Sequence, residues 1–298
     1  MSATGLSTIA RYAIRSGSSG TSHKLFSLVI SGGSVVDFIY APPAVGRTLT
    51  EEEEAEEFAT NPLLAGLKPL KVPEEANAWV ARAVEIDNKA KSAIVNAANE
   101  ECLGGGGVDG AISDAGGPNL LRDRTALKKT RDGVRCSTGQ AVITGPGKYG
   151  DLGVSHVIHA VGPNYMIYDQ YDSDSESCGE GEIAATPARA NGYATGDALL
   201  RSAYVNSMRR ATERGLAAVA FSLISSGIFR GRHSKKEVLK IGIEGITSEF
   251  VAEITARQGG GGVSEGLIAL QEVHLCAFNA EEARLLTEIC EELGLEKE

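Results

Sequence analysis

The stretch that most constrains this chain runs from Ala93 to Gly117, AIVNAANEECLGGGGVDGAISDAGG. Its apolar start, Ala93 to Val95, reads as a buried strand. Gly104 to Gly107 then suit neither a strand nor a helix interior, and the pattern restarts as a helix near Asp109. Residues without Cβ let backbone N–H groups approach an anion closely, and a helix start behind them adds unpaired donors and a partial positive charge. The local expectation is a diphosphate cradle.

Composition narrows what such a cradle serves. The 298 residues, 42% hydrophobic, suffice for one large domain or two small ones. A net charge of −10 argues against a nucleic-acid partner, so a phosphate ligand must be held mainly by backbone dipoles. The five cysteines (Cys102, Cys136, Cys178, Cys276, Cys290) are scattered and include no CxxC pair. This favours reduced thiols in an intracellular compartment over a disulfide framework or structural zinc, and neither a metal nor a cofactor is expected. No apolar run reaches membrane-spanning length, so no membrane partner is expected either. The first acidic residue is Asp37, and Arg11, Arg15, Lys24 and many serines precede it. Residues 1–23 accordingly read as a disordered tail or, alternatively, an organelle transit peptide. The expected location is cytoplasm or nucleus under the first reading and mitochondrion or plastid under the second.

Along the rest of the chain, Leu25–Ile30 and Val35–Tyr40 read as β-rich runs. Thr50 and Glu53 form a capping-box pattern opening an acidic helix, and the spacing of Ala76, Trp79, Val80, Ala83 and Val84 predicts an amphipathic helix from Glu74. Strands are expected at Gln140–Thr144, Val154–Val161, Leu216–Leu223 and Glu272–Phe278. Helices are expected at Asp197–Glu213, from a Ser234/Glu237 capping box to Ala256, and at Glu281–Leu293. The acidic stretch 169–192 reads as an insertion. Alternating strands and helices give a three-layer α/β architecture.

Several patterns are set aside. Gly262, Ser264 and Gly266 fit a nucleophile elbow, but a glycine run precedes them where that motif needs a strand. His156 and His159, three apart on a strand, point to opposite faces and read as structural. Gly105, Gly107 and Gly110 satisfy GxGxxG, which makes an NAD-dependent oxidoreductase a competing reading. Against it, Gly116, Gly117 and Pro118 interrupt the helix before any second strand. Asn99, at a strand end, can donate and accept toward a ribose, or simply close the turn. Asp109, in the first helical turn, either stabilises the helix or, beside a bound diphosphate, serves as a base for a water.

At these residues the sequence closely resembles the macro domain family, specifically MacroD-type ADP-ribosyl hydrolases and O-acetyl-ADP-ribose deacetylases. IVNAAN at 94–99 and LGGGGVDGAI at 103–112 carry the match. GVRCSTGQAVIT at 133–144, HVIHAVGP at 156–163, VAFSLISSGIF at 219–229 and VHLCAFNAEEARL at 273–285 extend it. The resemblance implies a three-layer α-β-α macro domain over residues 24–298, with a mixed six- or seven-stranded sheet and insertions at about 41–72 and 169–192. A monomer is expected.

By the same resemblance, ADP-ribose lies in a cleft at the strand ends. Asn99 holds the distal ribose. Gly105, Gly106, Gly107 and Val108, with Ser225, Ser226, Gly227, Ile228 and Phe229, wrap the diphosphate, and Phe278 lies against the adenine. Asp109 is the catalytic acid that activates a water, with Asn99 beside it, and Asn96 braces the loop. The implied substrates are proteins ADP-ribosylated on acidic side chains or O-acetyl-ADP-ribose. A non-catalytic ADP-ribose reader is the alternative.

Three departures from the family pattern matter. The histidine expected four residues after the acid is Ser113 here. The GDI motif that reads adenine has two candidates, Gly33–Val35 and Val84–Ile86. The helix expected from Glu74 disfavours the second, leaving Ser34 and Val35 as adenine contacts. Finally, Arg230 follows the second loop, where it faces either phosphate, a protein-borne substrate or solvent.

Overall fold

The computed structural model describes residues 6–16, 23–39, 89, 91–169, 187–257 and 269–298. The expected helices at 50–58 and from Glu74, Trp79, the Val84–Ile86 candidate, the body of the acidic insertion and the Gly262/Ser264/Gly266 pattern lie outside these residues.

Chain order runs β1 (Ser7–Ser16), β2 (His23–Gly32), a one-turn 3-10 helix (Val35–Asp37), β3 (Ser92–Ala97), α1 (Gly107–Thr125), β4 (Ala141–Thr144), β5 (His156–Ala160) and a short α2 (Met166–Asp169). There follow α3 (Pro187–Glu213), β6 (Ala218–Phe221), α4 (Lys235–Glu244), a π-helical turn (Gly245–Glu249), α5 (Phe250–Ala256), β7 (Glu272–Ala277), α6 (Ala280–Glu292) and β8 (Glu296–Lys297). One mixed sheet has the strand order β4-β5-β3-β6-β7-β2-β1-β8. The five inner strands β5, β3, β6, β7 and β2 are parallel, and β4, β1 and β8 add antiparallel edges. The eighth strand exceeds the expected count by a two-residue pairing of Tyr12 and Ala13 with Lys297 and Glu296.

Parallel strands buried on both faces need apolar runs, and Ala93, Ile94 and Val95 are each at most 1% exposed. One face of the sheet packs against α3 to α6 through residues such as Val95, Phe221, Leu275, Met208 and Leu286. The other packs Ile94, Val157 and Ala220 against Ile112 and Leu120 of α1 and against Val35 and Phe38. Helices thus sandwich the sheet. Among the described residues no helix is long and apolar enough to cross a membrane.

Several expectations are corrected. Residues 7–16, read as part of a tail, form β1. Ala10, Tyr12 and Ile14 point into the core, while Arg11 and Arg15 pair on the other face with Glu298 (2.9 Å) and Glu296 (2.8 Å). The run expected as a strand over Val35–Tyr40 has no strand among its described residues, 35–39. Val35 and Phe38, three apart, use one 3-10 turn to enter the core together, and Phe38 packs 4.9 Å from the His274 ring. Residues 187–192, assigned to the insertion, begin α3, whose first residue is Pro187, an N-terminal position where its missing N–H costs nothing. The Ser234/Glu237 capping box is present as expected, but the helix it opens passes through the π turn.

The break at Gly116–Pro118 is a kink and not an end. Gly117 adopts φ 62° and ψ −161°, a region open essentially to glycine, and the helix resumes at Pro118 and continues to Thr125. This chain segment also removes the dinucleotide-fold reading. The strand after α1 is β4, an edge strand antiparallel to β5 and two places from β3, where a βαβ unit requires a parallel strand. Gly117→Ala is expected to lower the free energy of unfolding by about 1–3 kcal/mol. Urea titration reads this directly, and an unchanged midpoint would contradict the kink geometry.

Candidate functional site

Because the inner strands are parallel, their carboxyl ends lie on one edge of the sheet, and the loops leaving them converge there. A cleft of about 470 Å³ opens at that edge. Gly33, Ser34 and Val35 enter it after β2, and Gly107, Val108 and Ala111 after β3. Ser222, Leu223, Ser226 and Gly227 enter after β6, and Cys276, Phe278 and Glu282 around the end of β7. Four segments spread over 250 positions are thereby gathered by topology alone.

The lining has one ionisable carboxylate, Glu282, and no Lys or Arg among the described residues. An anion in this cleft therefore meets no cationic side chain, only serine hydroxyls, backbone donors and the N-terminus of α1. Gly106 caps that helix with an extended backbone, Gly107 has φ 61°, and a Cβ at either would point into open space. The glycines therefore leave the amides of the first turn uncovered. Glu282 accepts from the Phe278 amide at 2.9 Å and holds the end of β7 against the start of α6. Phe278 itself is 78% exposed, a bare ring in the lining of the cleft rather than part of the core.

Of the residues singled out by sequence, Ser34, Val35, Gly107, Val108, Ser226, Gly227 and Phe278 line the cleft. Ser225 does not. Its hydroxyl donates to the Pro163 carbonyl at 2.8 Å and its backbone sits at φ 55°, so it shapes the second loop from behind. Ile228 and Phe229 are not part of the lining either; they are exposed on the one-turn helix that follows, with the Phe229 carbonyl held by the Tyr165 amide at 2.8 Å. Arg230 is turned away toward the His233 carbonyl. Gly105 and Gly106 flank the lining in the glycine loop.

Asn99 closes the loop as an Asx turn. Its Oδ1 accepts from the Cys102 amide at 3.1 Å, and its Nδ2 donates to the Gly104 carbonyl at 2.9 Å. The side chain is exposed, so its second amide hydrogen remains available to a ligand. A Cβ on Gly105 would lie 3.1 Å from Asp109 Oδ2 and 3.4 Å from Asn99 Nδ2. Glycine at 105 thus keeps the space between those two groups clear.

Asp109 is 3% exposed and stands in a buried polar network. Its Oδ1 accepts from Asn96 Nδ2 at 2.8 Å and from Arg124 Nη2 at 2.9 Å, whereas Oδ2 has no protein partner. Arg124, 1% exposed, also donates to the Ser113 hydroxyl at 2.7 Å, and that hydroxyl donates to the Asp109 carbonyl at 2.7 Å. Asn96 reaches His159 Nδ1 at 3.3 Å, and His159 Nε2 lies 3.1 Å from Thr144 Oγ1, which itself donates to the Val157 carbonyl. These partners assign His159 the Nε2–H tautomer, with Nδ1 accepting. Burial first, and the Arg124 charge second, hold its imidazole well below the usual histidine range. Asn96, expected by the resemblance to brace the loop, instead holds Asp109 against His159. Arg124 was not expected, because its role depends on a kink that brings it back to a residue fifteen positions earlier.

Comparison with known proteins decides the family. The macro domain profile matches residues 95–241. A macro domain-containing protein of Caldanaerobacter subterraneus subsp. tengcongensis is 39% identical over 137 residues, 46% of this chain and 62% of that protein. A Pantoea vagans protein named O-acetyl-ADP-ribose deacetylase 2 is 36% identical over 145 residues, 49% of this chain and 68% of the relative. The chain belongs to the macro domain family. A solved Oceanobacillus iheyensis macrodomain, with MES bound, is 20% identical and superposes with a TM-score of 0.52 over 95% of this chain and 97% of that one. Its likeness bears on the fold, and it agrees with the α-β-α macro domain architecture read from the sequence.

The buried histidines make the macro domain sensitive to mild acid. Burial lowers the proton affinity of both His156 and His159 in the folded state, whereas both regain the ordinary value near 6.5 on unfolding. Below that value the unfolded chain binds more protons, so stability falls as pH drops, by up to about 1.4 kcal/mol per pH unit per site. The urea midpoint is expected to decline from pH 7 to pH 5, and less steeply in His159→Gln. A flat midpoint across that window would contradict the neutral, buried imidazoles.

Proposed function

We propose that the cleft binds ADP-ribose and that the site hydrolyses an ester at its distal ribose, releasing ADP-ribose from acidic side chains or acetate from O-acetyl-ADP-ribose. The observation that carries this reading is Asp109. It is a buried carboxylate at the N-terminus of α1, with Oδ1 fixed by two donors and Oδ2 unpartnered beside Gly105 and Asn99. A carboxylate so held can orient a water and take its proton as the water attacks the ester, leaving a carboxylic acid and a ribose hydroxyl. The deacetylase name of the Pantoea relative supports the same chemistry.

The binding half of the proposal follows from the lining. The diphosphate sits on the amides of Gly105 to Val108 and of the second loop at Ser226 and Gly227, where charge-assisted hydrogen bonds of about 1.5–3 kcal/mol each supply affinity without a lysine. Phe278 stacks on the adenine, with Ser34 and Val35 at its edge. Asn99 contacts the distal ribose through its free amide hydrogen.

A second reading, a reader that binds ADP-ribose without cleaving it, is favoured by Ser113. A hydroxyl there, already committed to Arg124 and the Asp109 carbonyl, carries no proton to a leaving group.

A peptide mono-ADP-ribosylated on glutamate separates the two. Release of ADP-ribose by the protein, reduced at least about 100-fold in Asp109→Ala while calorimetric ADP-ribose affinity is retained, is the expected result. Tight binding with no release selects the reader, and absence of ADP-ribose binding overturns both.

A further inference from the structure

In a straight helix, residues fifteen apart lie about 22 Å apart along the axis. Here Arg124 and Asp109, both on α1, are joined at 2.9 Å because the helix folds back at Gly117. The fold-back is itself closely fitted: a Cβ at Gly116 would fall 2.4 Å from Leu120 Cδ2, and one at Gly150 would fall 2.1 Å from the Ala115 carbonyl oxygen. Two glycines at the bend and one across from it are thus needed to deliver a single guanidinium beneath the glycine loop.

We propose that Arg124 is a positioning residue for Asp109, with Ser113 as its strut. The guanidinium fork has Nη2 on Asp109 Oδ1 and Nη1 on the Ser113 hydroxyl, which fixes both the plane of the carboxylate and the turn of α1 that carries it. With Oδ1 saturated by Arg124 and Asn96, the carboxylate cannot exchange its oxygens by rotation without leaving a buried cation unpaired. Oδ2 is therefore held beside Gly105 and Asn99. Ser113 does not replace an imidazole as a proton carrier; it accepts from the cation that occupies the space behind the acid. A side chain at Gly104 would press on it, with a Cβ 3.2 Å from Ser113 Oγ, so the strut is confined from the loop side as well.

The inference rests on the hydrolase reading, and kinetics with the mono-ADP-ribosylated glutamyl peptide separate their failures. In Arg124→Gln, kcat is expected to fall at least about 10-fold while KM and the calorimetric Kd for ADP-ribose change less than about 3-fold. Arg124→Lys, which keeps the charge but loses the fork, should recover part of the loss. Ser113→Ala, a small change that keeps the fold intact if Arg124→Gln does not, should lower kcat by about 3-fold or more with Kd unchanged. Unaltered kcat in Ser113→Ala, or parallel losses of kcat and ADP-ribose affinity in both variants, overturns the positioning role. Absence of turnover in the unaltered protein overturns the hydrolase reading and this one with it.

Discussion

A carboxylate and a guanidinium, both almost wholly removed from water, meet behind the glycine loop, and much of the site depends on that pairing. Desolvating two charges is costly, and removing one partner of such a pair typically destabilises by about 3–5 kcal/mol. Further hydrogen bonds offset part of this cost for the Asp109–Arg124 pair: Asn96 donates to the acid, and the Ser113 hydroxyl accepts from the guanidinium. Asn96 in turn leans on His159, which is kept neutral by burial and by the same guanidinium. The network links α1 with β3, β4 and β5, so the acid is registered against the sheet as well as against its own helix.

The sheet contributes the other constraint. Five parallel strands end on one edge, and the loops that leave β2, β3, β6 and β7 converge there to line the cleft. Glycine supplies the close approach after β3, and a non-glycine residue in left-handed conformation, Ser225, supplies the bend after β6. An acidic protein can present an anion site this way because fixed backbone dipoles do the work that lysine or arginine does elsewhere. The absence of any cation from the described lining accords with the net charge of −10.

Much of this was legible in the sequence because the relevant signals are local. The apolar run at Ala93–Val95, the glycines and the Ser234/Glu237 box each announce themselves within a few residues, whereas the second loop at Ser226–Gly227 was expected only from the family resemblance. What stayed hidden depends on distance. The β1 alternation of Ala10, Tyr12 and Ile14 was masked by the basic composition around it, and its charges make sense only beside Glu296 and Glu298. Val35 and Phe38 look β-like by residue type, yet a single 3-10 turn buries both. Arg124 looks like any helix-surface arginine until Gly117 turns the helix back on itself.

Where ADP-ribose lies relative to Asp109 decides whether this site can act on its distal ribose. A crystal structure of the complex is the most direct measurement. The diphosphate is expected on the amides of the glycine loop and of Ser226–Gly227, the adenine against Phe278, and the distal ribose within one water of Asp109 Oδ2. A ligand bound in the cleft with its distal ribose directed away from Asp109, or bound outside the cleft, would contradict the proposed function.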